Sequence, residues 1–139
     1  MLETYTASLT GLWLVLTTIT LQAVIATGAH RRQGRMVPGI VDAALGHDSF
    51  VFRSDRAFRN SLENIAPFFG LSVLAMIAGL SPGRLAIVIW VYALARLLHM
   101  MLYYRIATEK NPSPRSYFYM IGLFATCYLI GDLGQFLIL

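Results

Sequence analysis

Residues 56–80 read RAFRNSLENIAPFFGLSVLAMIAGL, a polar segment that runs without a break into a strongly apolar one. Arg56, Arg59, Asn60 and Glu63 share a sector of about 100° when the segment is drawn as a helix, so they form one polar stripe. The apolar part that follows can enter a hydrocarbon core of about 30 Å. The stretch therefore predicts a membrane helix that carries charged side chains, including the acidic Glu63, past the membrane boundary.

The composition extends this prediction to the whole chain. Of 139 residues, 57% are hydrophobic and 13% are charged, whereas soluble domains carry about 25% charged residues. Four apolar windows of about 20 residues can be drawn, each long enough to cross a bilayer. We therefore expect one all-α domain over residues 1–139, an integral membrane four-helix bundle. The predicted spans are residues 9–29, 61–80, 85–104 and 117–139.

The basic residues indicate which end of the bundle faces the cytoplasm. Nine of the eleven Lys and Arg flank the first and third connections, Arg84 alone marks the opposite side, and Arg96 falls inside the third span. By the positive-inside rule we expect the nine-residue side to be cytoplasmic. Because these charges are concentrated at membrane boundaries, the net charge of +4 does not indicate nucleic-acid binding. The nine are Arg31, Arg32, Arg35, Arg53, Arg56, Arg59, Arg105, Lys110 and Arg115.

The connections between the predicted spans contain helix-start signals. Ser81-Pro82 and Ser113-Pro114 each provide an N-cap serine followed by a proline at the first helical position, which predicts the starts of the third and fourth helices. Ser54 or Asp55 can cap the second helix. In the first connection, Asp42, His47 and Asp48 match no metal-ligand spacing, and we expect no metal site.

The third predicted helix carries a second polar stripe, and one of its members is a deeply placed cation. A charge near the bilayer centre costs about 2.5 to 3.5 kcal/mol, so it requires a partner or a wet cavity. We therefore expect Arg96 to form an intramembrane ion pair with Glu63. The stripe spans about 60° and consists of Tyr92, Arg96, His99 and Tyr103.

The first turn of the fourth helix adds Arg115, Ser116 and Tyr119, where unpaired amides and the helix dipole favour an anion. Taken singly, the tyrosines also fit packing positions and the boundary arginines fit membrane anchors. The convergence of three helices on one end of the bundle favours a binding site. Guanidiniums suit carboxylates, and a carboxylate suits an ammonium group. This inventory indicates a small zwitterionic peptide together with a hydrophobic second substrate from the bilayer.

Four motifs in chain order carry a family resemblance. They are ATGAHRR at residues 26–32, R-x-x-R-N-x-x-E at 56–63, R-x-x-H-x-x-x-Y at 96–103 and R-S-x-x-Y at 115–119. Over almost its whole length the chain resembles the membrane-associated proteins in eicosanoid and glutathione metabolism (MAPEG). The pattern is closest to the branch of microsomal prostaglandin E synthase and microsomal glutathione transferase, and the short chain suits a bacterial member, placed in the inner membrane. Phe58 departs from that branch, so prostaglandin specificity does not follow.

The resemblance implies a glutathione transferase, or a glutathione-dependent peroxidase or isomerase, that acts on a lipophilic electrophile or lipid hydroperoxide. Glutathione would be the cosubstrate, bound between subunits of a homotrimer in a cleft open to the cytoplasm. Arg115 and Ser116 would stabilise its thiolate, and Arg31 would come from the adjacent subunit. The implied glutathione-binding residues are Arg31, Arg56, Arg59, Asn60, Glu63, His99, Tyr103, Arg115 and Tyr119.

Two other classes remain open. A noncatalytic lipid-binding scaffold would lack the catalytic arginine that this resemblance implies, whereas Arg115 and Ser116 are present. A small multidrug transporter would need an acidic residue in its first span, and the sequence has none between Glu3 and Arg31. Thiol-dependent turnover in detergent separates the three classes.

Overall fold

The computed structural model of the chain describes residues 3–139, which form four α-helices. All four are long and apolar enough to cross a membrane, and the prediction of an all-α four-helix bundle is confirmed. At 1.5 Å per residue, helices of 24 to 29 residues are about 36 to 44 Å long, which exceeds the hydrocarbon core. The helices are α1 (Thr6–His30), α2 (Phe50–Ala78), α3 (Pro82–Arg105) and α4 (Pro114–Ile138).

Helix α2 begins earlier than the capping signals predicted. Its N-cap is Ser49, so the assignment of Ser54 or Asp55 as the cap is wrong. The side chain of Arg53 donates to the carbonyls of His47 at 2.6 Å and Asp48 at 2.8 Å, which joins the first helical turn to the preceding loop. Ser54 is buried and donates to the carbonyl of its own helix at Val51, 3.1 Å away.

The other helix ends follow the sequence signals. Ser81 and Ser113 are the N-caps of α3 and α4, as predicted, and each is followed by proline. Helix α2 ends at Gly79, whose φ of 84° lies in the left-handed region that glycine enters without steric cost. The amide of Leu80 then donates to the carbonyl of Ala75 at 2.9 Å, which closes the helix C-terminus and directs the chain into α3.

Helices α2 and α3 form the centre of the bundle. Each packs against the other three helices, whereas no Cα atom of α1 lies within 8 Å of one in α4 in the described chain. Phe68 of α2 stacks on Tyr92 of α3 with ring centroids 3.7 Å apart, and both rings are fully buried. Because lipid is as apolar as these side chains, close packing of this kind is what holds membrane helices together.

Polar contacts fix the end of the bundle opposite the long loop. The hydroxyl of Tyr5 donates to the carbonyl of Leu80 at 2.6 Å. The indole of Trp90 donates to the carbonyl of Ala7 at 3.1 Å. Between α3 and α4, Arg84 and Asp132 form an ion pair of 2.8 Å. These contacts attach α1 to the α2–α3 turn and to α3, and attach α3 to α4.

We predict that Gly11→Ala lowers the melting temperature of the protein. A Cβ at Gly11 would stand 2.6 Å from Cγ2 of the buried Ile89, and overpacking of this kind costs about 1 to 3 kcal/mol. Gly28→Ala in the same helix is the control, because its Cβ would meet nothing within 4 Å, and the helix should gain about 0.5 to 1 kcal/mol. Thermal unfolding in detergent measures both. Equal melting temperatures for the two variants would contradict the α1–α3 packing.

Candidate functional site

The predicted site residues lie toward one end of the bundle, where α1 and α3 end and α2 and α4 begin. We call it the basic end; it carries the α1–α2 loop (residues 31–49) and the α3–α4 loop (residues 106–113). Seven of the nine arginines and lysines assigned to the cytoplasmic side lie in these loops or in the helical turn next to them, and Arg56 and Arg59 lie in the following turns of α2. Asn60, Arg96 and His99 lie deeper in the same half.

Arg96 is the deepest cation and is 5% exposed. Its Nη2 donates to Oδ1 of Asn60 at 2.7 Å and to Oγ of Ser61 at 3.1 Å, both on α2. The methylene part of the side chain passes Gly122 of α4, where a Cβ would stand 3.4 Å from Cδ of Arg96. Arg96 therefore joins α2 and α3 through hydrogen bonds to neutral side chains.

The expected ion pair between Glu63 and Arg96 is not formed. Within residues 3–139 the ion pairs are Arg59–Asp55 and Arg84–Asp132. Glu63 follows Ser61 by two residues, or about 200° around the helix, so Glu63 is exposed while Ser61 is buried against α3. The part of Glu63 in ligand binding stays a prediction.

Aromatic rings line the interior next to Arg96. His99 is 3% exposed, and its ring centroid lies 5.4 Å from that of Tyr103 and 6.4 Å from that of Tyr119. Nδ1 of His99 is buried and has no hydrogen-bond partner among the residues that the structure describes. Most buried polar groups have such a partner, so this nitrogen is free to bond a ligand that reaches the interior.

Arg115 is held by the loops of the basic end. It is 8% exposed, and its guanidinium lies over the Tyr103 ring, 4.2 Å from the centroid. Nη2 donates to the carbonyl of Thr108 at 2.6 Å, Nη1 reaches the carbonyl of Ile106 at 3.5 Å, and Nη2 lies 3.5 Å from Nδ1 of His47. The guanidinium thus connects α4 to the α3–α4 loop and to the α1–α2 loop.

Ser116 takes part in the N-terminal cap of α4. Its Oγ accepts from the backbone N–H of Ser113 at 3.1 Å and lies 3.3 Å from the Ser113 hydroxyl. The two serines form a capping box, which satisfies amides that the first helical turn leaves unpaired. Ser116 therefore has a structural contact in addition to the catalytic part that the sequence predicted for it.

A cleft of about 560 Å³ opens between α1 and α2 beneath the first half of the α1–α2 loop. Its walls are mainly apolar, and Arg31 and Arg59 both line it. Nε of Arg59 donates to Asp55 at 2.8 Å, and its Nη2 reaches the carbonyl of Gly39 at 3.5 Å. The apolar lining includes Ala23, Ala26, Val41, Val51, Phe58 and Leu62.

The predicted site residues therefore fall into three groups within one chain. Arg31 and Arg59 line the cleft, whereas Arg56 and Glu63 are exposed on α2. The remaining residues surround the interior at the basic end: Asn60, His99, Tyr103, Arg115, Ser116 and Tyr119.

Sequence reasoning missed two residues of this site. Ser61 lies on the buried face of α2 between Ala57 and Phe68, and this helical spacing of small residues was a usable signal. His47 lies in an irregular loop, and its ring packs on Phe52 at 4.9 Å and near Tyr103 at 6.0 Å. Periodicity does not specify the path of a loop, so nothing in the sequence placed His47 beside Arg115.

The charges around His47 disfavour its protonation. Burial lowers the pKa of His47 below its ordinary value of 6.5, and the guanidinium of Arg115 lowers it further. The carboxylate of Glu109 acts in the opposite direction, and Arg56 and Arg53 make smaller contributions that support the lowering. The imidazole is therefore neutral at physiological pH. No group of three or more His, Cys, Asp or Glu side chains in residues 3–139 is arranged to hold a metal ion.

Comparison with known proteins agrees with the four-helix architecture. No curated protein and no solved structure matches the chain. The sequence model of the MAPEG family matches residues 6–134, from the first residue of α1 nearly to the end of α4. The match covers far more than half of the chain and includes all the predicted site residues. With its four membrane-length helices, the chain is therefore a multi-pass membrane protein that belongs to the MAPEG family.

Proposed function

We propose that the protein is a membrane glutathione transferase that bonds the glutathione sulfur to a lipophilic electrophile, or uses two glutathione molecules to reduce a lipid hydroperoxide to the alcohol and water, with glutathione disulfide as the other product. The observation that carries this proposal is the nearly buried guanidinium of Arg115 in the first turn of α4, next to Tyr103. His99 and Tyr119 lie on the same side of the interior. Membership of the MAPEG family supports a role in glutathione or lipid metabolism.

The proposed chemistry depends on ionising a thiol. A free thiol with a pKa of about 8.5 is only about 3% ionised at pH 7. Lowering this pKa by about two units requires about 2.7 kcal/mol of preferential stabilisation of the thiolate. A charge-assisted hydrogen bond contributes about 1.5 to 3 kcal/mol, and the helix N-terminus adds about 0.3 to 1 kcal/mol. The Arg115 guanidinium and the start of α4 provide these two contributions. The thiolate sulfur then bonds to the electrophilic atom of the second substrate, and the electron pair of the bond broken there departs with a leaving group or, in an activated alkene, moves to the adjacent carbon and takes up a proton.

Arg115 retains hydrogen-bonding capacity for this task. A guanidinium has five N–H donors, and the contacts to Ile106, Thr108 and His47 involve only Nη1 and Nη2. Its Nε–H and one Nη1–H have no partner in residues 3–139. These donors can bond a thiolate. The loop carbonyls hold the side chain in one orientation, so the free donors are preorganised for catalysis.

The remaining polar groups suit the charged ends of glutathione. The cosubstrate has two carboxylates and one ammonium, for which Arg59, Arg31 and Glu63 are matched partners. Arg31, Arg56 and Glu63 are exposed on the single chain, so a neighbouring protomer can reach them. We therefore propose that glutathione binds between protomers of a homotrimer, on the cytoplasmic side, with Arg31 supplied by the adjacent chain.

The apolar cleft between α1 and α2 suits the second substrate. Its volume of about 560 Å³ lies within the range of about 300 to 1,000 Å³ that is typical of small-molecule sites. Exposed Leu62 and half-buried Phe58 line it on the α2 side. A lipophile that enters from the bilayer can bind there without crossing water.

One observation favours a second candidate function, a noncatalytic lipid-binding scaffold. Three contacts of Arg115 are to the protein itself, and the hydroxyl of Ser116 is engaged in the helix cap. Under this alternative, both residues stabilise the loops and the cleft holds lipid alone. Ionisation of bound glutathione separates the two candidates, because a scaffold has no reason to lower a thiol pKa.

We predict that Arg115→Ala raises the pKa of the glutathione thiol in the complex by about two units. At pH values well below the native pKa, the fraction of bound glutathione that is thiolate should then fall by roughly 100-fold. Ultraviolet absorbance of the thiolate against pH measures it. Arg115→Lys keeps the charge without the planar donor fork and should show an intermediate value. The control is Arg105→Ala, an exposed arginine in the last turn of α3. An unchanged thiol pKa in Arg115→Ala would show that Arg115 does not stabilise the thiolate and has a structural role only.

We predict that Arg59→Ala weakens glutathione binding by at least about tenfold, because a charge-assisted hydrogen bond contributes about 1.5 to 3 kcal/mol. Asn60→Ala and His99→Ala should also weaken binding. Exposed Arg32 and Arg35 provide the controls, and their alanine variants should bind as the native protein does. Arg53 is unsuitable as a control because it supports the loop carbonyls. Calorimetric titration decides; equal losses for Arg59→Ala and Arg32→Ala would contradict the assigned site.

A further inference from the structure

We propose that neutral His47 is a positioning residue for Arg115, and that protonation of its imidazole releases the Arg115 guanidinium from the loops of the basic end. The catalytic consequence of this inference, a loss of thiolate stabilisation in acid, rests on the proposed function. The structural consequence, a pH-dependent contact between two loops and α4, does not depend on glutathione.

The geometry around the imidazole favours its neutral form. Nδ1 of His47 lies 3.5 Å from Nη2 of Arg115, and a neutral imidazole offers one ring nitrogen as an acceptor. The ring is held edge-on against Phe52 at 4.9 Å and lies 6.0 Å from the Tyr103 ring. Tyr103 in turn supports the guanidinium from below at 4.2 Å. A protonated imidazole donates from both nitrogens and would face a second cation.

The surrounding charges make protonation unfavourable from several elements. The groups that act on His47 are Arg115 of α4, Arg53 and Arg56 of α2, and Glu109 of the α3–α4 loop. Three of the four are cations, so an added positive charge on the ring meets net repulsion. Asp48, its neighbour in sequence, lies beside Gly46, where a Cβ would stand 3.3 Å from Oδ1 of Asp48.

Movement of Arg115 would alter the contacts of both loops. The guanidinium donates to the carbonyls of Ile106 and Thr108 and approaches His47, so it is the common contact of the α1–α2 and α3–α4 loops. A Cβ at Gly46 would stand 3.9 Å from the Glu109 carboxylate, which places the two loops in direct proximity. Loss of the His47 contact should therefore expose backbone amides near residues 106–113.

The direction of the pH effect follows from these contacts. Because burial and Arg115 lower the pKa of His47 below 6.5, the folded protein binds this proton less readily than an unfolded chain does. The His47–Arg115 contact is then complete near neutral pH and is lost as the pH falls through the lowered pKa. The expected signature is a loss of the His47–Arg115 contact below about pH 6.5 that occurs with or without glutathione.

The first experiment measures hydrogen–deuterium exchange in residues 106–113 without glutathione. It compares the native protein with His47→Asn, whose side-chain oxygen can accept from Arg115 but does not titrate. At about pH 7.5 the two proteins should exchange alike, and at about pH 5 the native protein should exchange several-fold faster. Comparison at one pH removes the intrinsic dependence of exchange on acidity. Equal exchange at both pH values would overturn the proposal.

The second experiment measures the pH profile of thiolate formation with glutathione. The bound thiol itself titrates in this range, so the native protein should lose thiolate in acid more steeply than a one-proton titration does. His47→Asn should follow a one-proton curve and keep near-native thiolate at neutral pH, whereas His47→Phe should lower thiolate at every pH. His30→Asn is the matched control: His30 contacts Gln33 and the carbonyl of Val37 in the same loop, and its variant should keep the native profile. Equally steep profiles for the native protein and His47→Asn would overturn the positioning role.

The two experiments separate this proposal from the proposed function. If the exchange difference appears but glutathione neither binds nor ionises, the His47–Arg115 contact is supported and the transferase function fails. If glutathione ionises normally and the exchange difference is absent, the transferase function is supported and the part assigned to His47 is wrong.

Discussion

One buried guanidinium determines how the helices of this protein can pack. Arg96 lies inside the bundle at 5% exposure, where an unpartnered charge would cost at least about 2.5 to 3.5 kcal/mol. It has acceptors only if Asn60 and Ser61 of α2 lie opposite it, so the register of α2 against α3 is fixed by the need to satisfy it. Gly122 makes room for its methylene groups on the α4 side. His99, one turn further along α3, faces α4, where its ring centroid lies 6.4 Å from that of Tyr119.

The partners of the buried cations leave an excess of positive charge at the basic end. Arg96 donates to an amide and a hydroxyl, and Arg115 donates to backbone carbonyls. Neither has a carboxylate partner, because the ion pairs in the described chain involve Arg59 and Arg84. Neutral acceptors satisfy hydrogen bonds without cancelling charge, and the interior therefore suits an anion. This electrostatic property is the link between the packing of the bundle and the thiolate chemistry proposed for it.

Much of this organisation could be predicted from the sequence. Hydropathy and helix-start signals gave four helices and the starts of α3 and α4, because these depend on local composition. The start of α2 was misjudged, since Arg53 extends that helix through contacts to loop carbonyls. The predicted Glu63–Arg96 ion pair was wrong. The prediction considered only the opposite charges of the two residues, whereas the rotation of α2 turns Ser61 toward Arg96 and Glu63 toward the outside. His47 was beyond prediction, as its position depends on a loop with no repeating pattern.

The contacts at the two ends of the bundle differ in kind, with a mechanical consequence. At the end away from the loops, Arg84 and Trp90 attach helices to one another directly, and Tyr5 attaches the start of α1 to the α2–α3 turn. At the basic end, Arg96 joins α2 to α3 and Arg115 holds loops, so within the described chain α1 and α4 have no side-chain hydrogen bond to another helix there. Helices fastened at one end pivot there, and a tilt of about 5° over a length of about 36 Å displaces the far end by roughly 3 Å. The fastened end thus acts as a fulcrum, and small tilts produce their largest opening where the cleft and the interior cations lie.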